Sequence, residues 1–240
     1  MSESRPLIKS RERVKDSAEV FTPEDVVNNM LDMTADAFPD AESPRRVTER
    51  FLEPACGDGN FLVEILRRKL AHITVALFES MPDIEARRIA WEHLTVAALA
   101  SVYGVDIQED NVIEARKRME DVVVKHFRAN APMERCTNAF APAVSAILET
   151  NIVRGDWLHD RIDWVFYDAD FDDECAHVPG FFRRTLVRHE PVRRDGKPLT
   201  GRERDDDLTI SQTVVAADAF HVHYIELDSP LDEFVEEVAA

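Results

Sequence analysis

Phe51-Leu52-Glu53-Pro54-Ala55-Cys56-Gly57-Asp58-Gly59-Asn60-Phe61 decides how this chain is read. A strand is expected over Thr48–Glu53, ending abruptly where Pro54 opens a turn that holds two glycines. From Asn60 to Leu70 the apolar residues Phe61, Leu62, Ile65, Leu66 and Leu70 fall at helical spacing. A strand, a glycine-bearing turn and a helix in that order bring backbone N–H groups and a helix N-terminus close to any ligand seated there. The chain has 7 glycines in 240 residues, well under the roughly 7% of average usage. Placing two of them in one turn is therefore informative, although an ordinary tight turn competes as the reading of Gly57-x-Gly59 alone.

Working outward, Glu19–Val27 reads as a short lead into a helix. Thr22 is the expected N-cap, Pro23 suits the first turn, and Glu24 and Asp25 favour the positive end of the dipole. Pro39 and Pro44 bracket a loop. Further helices are expected over Ile84–Leu99, Asp110–Phe127 and, shorter, Ala143–Glu149. Strands are expected over Ser101–Ile107, Asn151–Gly155 and Ile162–Tyr167. Alternation of strand and helix across about residues 45–170 points to an α/β fold with a mostly parallel sheet and helices on both faces. Towards the end, Ala219–Leu227 reads as a strand and Leu231–Val238 as a short closing helix. Three segments are expected: a polar arm over 1–18, the main domain over 19–175, and an extension over 176–240 packed on that domain.

Composition narrows the class. Apolar residues make up 45% of the chain, enough for a core, and the formal net charge is −18. Such a surface repels nucleic acid over most of its area. The exception is a basic island over residues 183–204. No apolar run is long enough to cross a bilayer, and the polar start MSESRPLIKSRERVKDS is not a secretory signal. Cys56, Cys136 and Cys175 are scattered and form no CxxC pair, which argues against a disulfide framework or a zinc site and for a reducing cytoplasm. His221 and His223 share one strand face, but without a third ligand ordinary strand histidines are the better reading, and no metal is expected.

The string around Gly57 and Gly59 resembles the S-adenosylmethionine (SAM) binding motif of N6-adenine DNA methyltransferases, the group that contains the modification subunits of restriction systems. Glu19-Val20-Phe21-Thr22-Pro23 is similar to that family's Phe-Thr-Pro element, which touches the methionine end of the cofactor. Val105-Asp106-Ile107 is similar to its ribose-binding acid with an apolar neighbour, and Asn151–Leu158 to the element whose Asp holds the adenine amine. The order, with Phe-Thr-Pro first, is that of the gamma-type enzymes, and the resemblance covers about residues 18–171. It implies a Rossmann-like class I SAM-dependent methyltransferase fold. It also implies a cofactor site drawn from Phe21, Thr22, Pro23, Glu53, Pro54, Ala55, Gly57, Gly59, Phe61, Asp106, Ile107, Asp156 and Trp157.

The residue types suit that ligand. A strand-end carboxylate such as Asp106 can accept hydrogen bonds from ribose hydroxyls. Glu53 is expected to face the positively charged methionine part. Trp157 and Ile107 either sandwich the adenine ring or belong to the core, and Asp156 is either an adenine ligand or a turn residue.

The family's catalytic motif is Asn/Asp-Pro-Pro-Tyr/Phe at the end of the next strand, where the acid or amide accepts hydrogen bonds from the target amine and the aromatic stacks on the flipped base. Here Asp168-Ala169-Asp170-Phe171 keeps the acid and the aromatic but neither proline. Two readings are open: Asp168 and Phe171 form an amine acceptor and stacking pair, or Asp168, Asp170, Asp172, Asp173 and Glu174 form an acidic loop. Arg183, Arg184, Arg188, Arg193 and Arg194 are the candidate phosphate contacts, with a solvated basic loop as the alternative. The chain is short for target recognition. DNA and a target-recognition protein are the partners the resemblance implies. A non-catalytic SAM-binding or interaction protein, or a methyltransferase acting on RNA or protein, are the alternatives.

Overall fold

The computed structural model describes residues 8–17, 19–41, 44–81, 83–131, 134–169, 181–197, 199, 208–217, 222–223 and 227. Strands β1 (Phe51–Glu53), β2 (Val102–Asp106) and β3 (Ile152–Arg154) form a parallel sheet in the order β1-β2-β3. Their register places Glu53 opposite Gly104 and Gly104 opposite Ile152. Val102, Tyr103, Gly104 and Val105 are all buried, the continuous run that a central parallel strand requires.

Helices α3 (Asn60–Leu70), α4 (Ile84–Ala100), α5 (Glu109–Asn130) and α6 (Phe140–Asn151) connect these strands and pack on β2. Helix α3 turns Leu62, Ile65, Leu66 and Leu70 into the core, as their spacing predicts. Helix α4 is capped by Asp83, whose carboxylate accepts from the Glu85 and Ala86 N–H groups. Helix α6 is longer than the sequence pattern indicates. Thr150, near its end, returns its hydroxyl to the Ala146 carbonyl, and Asn151 uses its amide to bond the Ala100 and Val102 carbonyls.

Gly59 starts α3 in the left-handed region at φ 90°, where a side chain is strained. A Cβ there would also lie 3.0 Å from the Ala115 Cβ on α5. Gly59→Ala is therefore expected to destabilise the fold by about 2 kcal/mol, read as a fall in the urea midpoint at unchanged slope. An unchanged midpoint would mean that this turn is not held as described.

Several boundaries differ from the sequence reading. Residues 44–48 form a 3-10 turn, so the first strand is only Phe51–Glu53. Helix α2 (Glu24–Asp32) takes Pro23, not Thr22, as its N-cap residue, with no side-chain cap. Within the expected polar arm, Arg11–Ser17 form helix α1. The expected closing helix, residues 231–238, lies outside the described residues.

The larger departure begins at β4 (Ile162–Ala169). It does not extend the parallel sheet but opens a second, antiparallel one with β5 (Phe181–Arg193), β6 (Leu208–Ala217) and the two-residue β7 (Val222–His223). The expectation of a mostly parallel sheet therefore holds only for the first three strands. Contacts at both ends of β4 give its direction. Ile162, at its start, packs where a Cβ on Gly155 would sit, just past the end of β3. Tyr167, near its end, meets the Thr150 hydroxyl at 3.0 Å, just before β3 begins. Asp168 pairs with Arg50, which precedes β1. The chain thus runs up β3 and back down β4. Only residues 155–161 connect the two, too few for the crossover that a parallel neighbour needs. Asp156 makes the reversal: its side chain accepts from the Leu158 N–H and its carbonyl from the His159 and Asp160 N–H groups.

Among the described residues no helix is long and apolar enough to cross a membrane.

Candidate functional site

One cavity of about 630 Å³ opens at the ends of the parallel strands, the place where open α/β sheets bind ligands. Segments distant in sequence wall it. Glu19, Phe21 and Thr22 come from the lead before α2, and Glu53 to Asp58 from the end of β1 and its turn. Asn60 and Phe61 come from the start of α3, Asp106 to Gln108 from the end of β2, and Gly155 to Leu158 from the reversal after β3.

The turn after β1 is pinned from both sides. The Cys56 N–H donates to the Val105 carbonyl at 2.8 Å, and the Gly57 N–H donates to Asp106 Oδ2 at 2.9 Å. Gly57 adopts φ 53°, and a Cβ on it would press on the Phe21 ring at 3.0 Å. Glycine is needed here so that the backbone can lie against both the acid and the aromatic. Asp106 Oδ1 accepts from the Gln108 N–H at 2.8 Å and from Asn111 Nδ2 at 3.1 Å. Its carboxylate is consequently held in one orientation at the cavity wall.

Asn60 closes the lead onto the turn. Its amide donates to the Thr22 carbonyl at 2.8 Å while its oxygen accepts from Arg118 at 2.8 Å. Arg118 also bonds the Asp58 carbonyl at 2.6 Å and pairs with the buried Asp58 carboxylate at 2.9 Å. Ion pairs of Arg13 with Asp110 and Glu19, and of Lys9 with Asp110, carry the lead onto α5.

Burial pushes the Glu53 carboxyl above the usual range for its type, partly offset by the Ala55 N–H that it accepts at 3.3 Å. A neighbouring positive charge would reverse that burial penalty. Burial and the nearby Asp106 and Glu53 carboxylates push the Cys56 thiol well above its ordinary value. The thiol form is therefore favoured over the thiolate at this wall position. Ile107 is 47% exposed, an apolar surface presented to the cavity. Trp157 packs on His189 and Trp164, with its carbonyl bonded to His189 Nε2 at 3.1 Å.

The cavity gathers most residues that the resemblance assigns to a cofactor: Phe21, Thr22, Glu53, Pro54, Ala55, Gly57, Phe61, Asp106, Ile107, Asp156 and Trp157. Pro23 and Gly59 stand just behind the wall as helix N-caps. Asp156 is at once a wall residue and the turn residue of the alternative reading. The sequence reading did not single out Glu19, Asn60, Gln108 or Leu158 as site residues, although Glu19, Asn60 and Leu158 lie within the quoted motifs.

Asp168 is not in this cavity. It lines a separate cavity with Thr48, Glu49, Arg50 and Tyr167 at the opposite end of the parallel strands. Because β4 is reversed, six strand residues separate it from the end near Gly155, roughly 20 Å of extended chain. The Arg50 guanidinium both pairs with Asp168 and lies over the Phe166 ring. Phe171, the proposed stacking residue, lies outside the described residues, as do Asp170, Asp172, Asp173, Glu174 and Cys175.

The basic island also takes a different form. Arg183, Arg184, Arg188 and Arg193 sit on β5, a strand and not a loop. Arg184 is 1% exposed and so cannot present its guanidinium to a phosphate. Arg188 is paired with Asp163 at 2.9 Å, Arg193 with Asp195 at 2.7 Å, and Arg194 donates to the Leu208 carbonyl. Arg183 is exposed. His221 lies outside the described residues, while His223 pairs with Phe181 through β7.

No family model, curated protein or solved structure matches this chain in comparisons with known proteins.

Proposed function

We propose that this chain binds SAM in the cavity at the ends of β1–β3 and acts as a SAM-dependent methyltransferase-type protein. On this reading it methylates an exocyclic amine, as the resemblance to DNA adenine-N6 methyltransferases implies. The observation that carries the reading is that four separate motifs, recognised in order along the sequence, converge on one cavity of about 630 Å³. A volume of a few hundred cubic ångströms suits a nucleoside-sized ligand.

The donor set fits the chemistry of SAM. Asp106, oriented by its three N–H donors, accepts a ribose hydroxyl. Glu53 stands ready to neutralise the positively charged methionine part, whose charge would oppose the burial that raises its carboxyl pKa. Ile107 and Trp157 offer apolar surface to the adenine ring, and Asp156 an acceptor for its amine. When bound, SAM supplies an electrophilic methyl group, and the work of the chain is to orient it and exclude water.

Recognition of DNA falls to a partner on this reading, in a reducing cytoplasm. The chain carries a net charge of −18, and Arg188 and Arg193 are already paired with its own carboxylates.

One observation favours a second reading, that of a non-catalytic SAM-binding or interaction protein. Asp168, the residue that would accept the target amine, sits at the far end of the strands and is paired with Arg50. Transfer of labelled methyl from SAM to DNA, RNA and protein, with and without cell extract as a source of partner, separates the readings. Asp168→Ala is expected to leave SAM affinity intact and any transfer within about twofold of the wild type, because a group roughly 20 Å away contributes no proximity. A hundredfold loss of transfer at intact SAM affinity would make Asp168 the amine acceptor and require β4 to be turned round in the active form. SAM binding without transfer to any of the three acceptors would support the second reading.

A further inference from the structure

We propose that Glu19 is a second ribose-binding carboxylate, so that Asp106 and Glu19 each accept one hydroxyl of the vicinal diol of a nucleoside ligand. The inference rests on the SAM-binding reading of the same cavity and follows from hydrogen-bond accounting. A carboxylate offers about four acceptor positions. Asp106 has already used three of them, on the Gly57 and Gln108 N–H groups and on Asn111 Nδ2. One position remains for two ribose hydroxyls, so a second acceptor is required.

Glu19 lines the same cavity and supplies it. Its side chain is 9% exposed. Oε2 accepts from Asn111 Nδ2 at 2.9 Å and pairs with Arg13 Nη2 at 2.7 Å. Oε1 is buried and has no partner among the described residues. A buried carboxylate oxygen without a donor is unfavourable, and such groups are ordinarily satisfied. The Asn111 amide nitrogen reaches both Glu19 Oε2 and Asp106 Oδ1, so the two carboxylates stand side by side and share a donor. Arg13 offsets the charge repulsion between them by pairing with Glu19. By the same count Glu19 has used two positions, both on Oε2, so the pair keeps acceptor capacity on Glu19 Oε1 and on Asp106 Oδ2.

The ligand is therefore recognised as a ribonucleoside and not a deoxyribonucleoside. The test is calorimetric titration of S-adenosylhomocysteine and its 2′-deoxy and 3′-deoxy analogues into the whole chain and into Glu19→Gln. Wild type is expected to bind each deoxy analogue about tenfold more weakly than the parent, the usual scale for a hydrogen bond to a charged acceptor. Glu19→Gln is expected to lose about tenfold for the parent and for one analogue, and nothing for the analogue that lacks the hydroxyl Glu19 accepts. An equal loss for all three ligands would assign Glu19 a structural role or a contact with the ammonium group and overturn the proposal. Wild-type indifference to one hydroxyl would overturn it as well, without any variant that has to fold. If wild type binds none of the three ligands, the SAM-binding reading itself fails, a result distinct from either of these.

Discussion

Asp106→Ala is expected to weaken SAM and S-adenosylhomocysteine binding by at least a hundredfold. Two losses combine. On the proposed SAM-binding reading the variant removes the acceptor for a ribose hydroxyl, and it releases the Gly57 N–H, the Gln108 N–H and the Asn111 amide that the carboxylate now gathers. Gly57 then loses the anchor that holds its turn at φ 53° beside the Phe21 ring, so the wall opposite the ligand loosens too. Freeing three donors at a half-buried site is expected to lower stability by about 2 kcal/mol. Asp106→Asn separates the effects, since it keeps the volume and one acceptor oxygen and should fold better than the alanine variant. Calorimetric titration reads the affinity and denaturant unfolding reads the stability. Binding by Asp106→Ala within threefold of wild type would remove Asp106 from the site.

The second large effect is expected far from the cavity. Lys69 on α3 is fully buried, with its ammonium donating to the Val47 carbonyl at 2.9 Å, the Glu49 carbonyl at 2.5 Å and the Ser101 hydroxyl at 2.8 Å. It ties the approach to β1 to the approach to β2. Lys69→Met keeps the packing volume but strands these acceptors, and is expected to destabilise the fold by about 3 kcal/mol. Burial pushes the Lys69 pKa down from 10.5 to about 7. The unfolded chain therefore holds a proton between pH 7 and 10.5 that the folded chain has given up. By linkage, wild-type stability rises with pH across that window, at about 1 kcal/mol per pH unit in its middle. Lys69→Met lacks that rise, so the gap between wild type and variant should widen from pH 7 to pH 9. A gap that stays flat would mean that Lys69 remains charged, held by its three acceptors.

Helix α3 was legible to the residue, Asn60–Leu70, because its apolar positions repeat at helical spacing and a glycine turn marks its start. The buried run of β2 and the clustering of the four motifs at one end of the sheet were legible for similar reasons: each signal is local, and the fold only has to bring the pieces together. The direction of β4 was not read from its own residues, which suit either orientation. The cue lay in the connection 155–161, which is too short for a parallel crossover.

Strand β5 escaped notice for a different reason. Its buried positions run Phe182 and Arg184, then Val187, His189 and Pro191, because a bulge between Leu186 and Val187 switches the face. A period of two that changes phase, with an arginine and a histidine on the buried side, does not look like a strand. The same limit hid Glu19, Asn60 and Asn111. Their importance lies in partners tens of residues away, and a polar side chain carries no mark of whom it will meet. Asp168 shows the converse. Its local string resembles a catalytic motif, yet the reversal of β4 carries it to the Arg50 end.

The attachment of the lead segment to α5 has a bearing on the order of events during synthesis. Lys9 and Asn111, whose contact docks the lead, are 102 positions apart, and Arg13 waits 97 positions for Asp110. The lead thus leaves the ribosome well before the α5 residues that hold it, and takes its place on this wall only after β1, α3, α4 and β2 have been made. Contacts of such long range form late in folding, since the intervening loop must close before they give any return. On the SAM-binding proposal, a nucleoside that bound before the lead docked would help to draw it in.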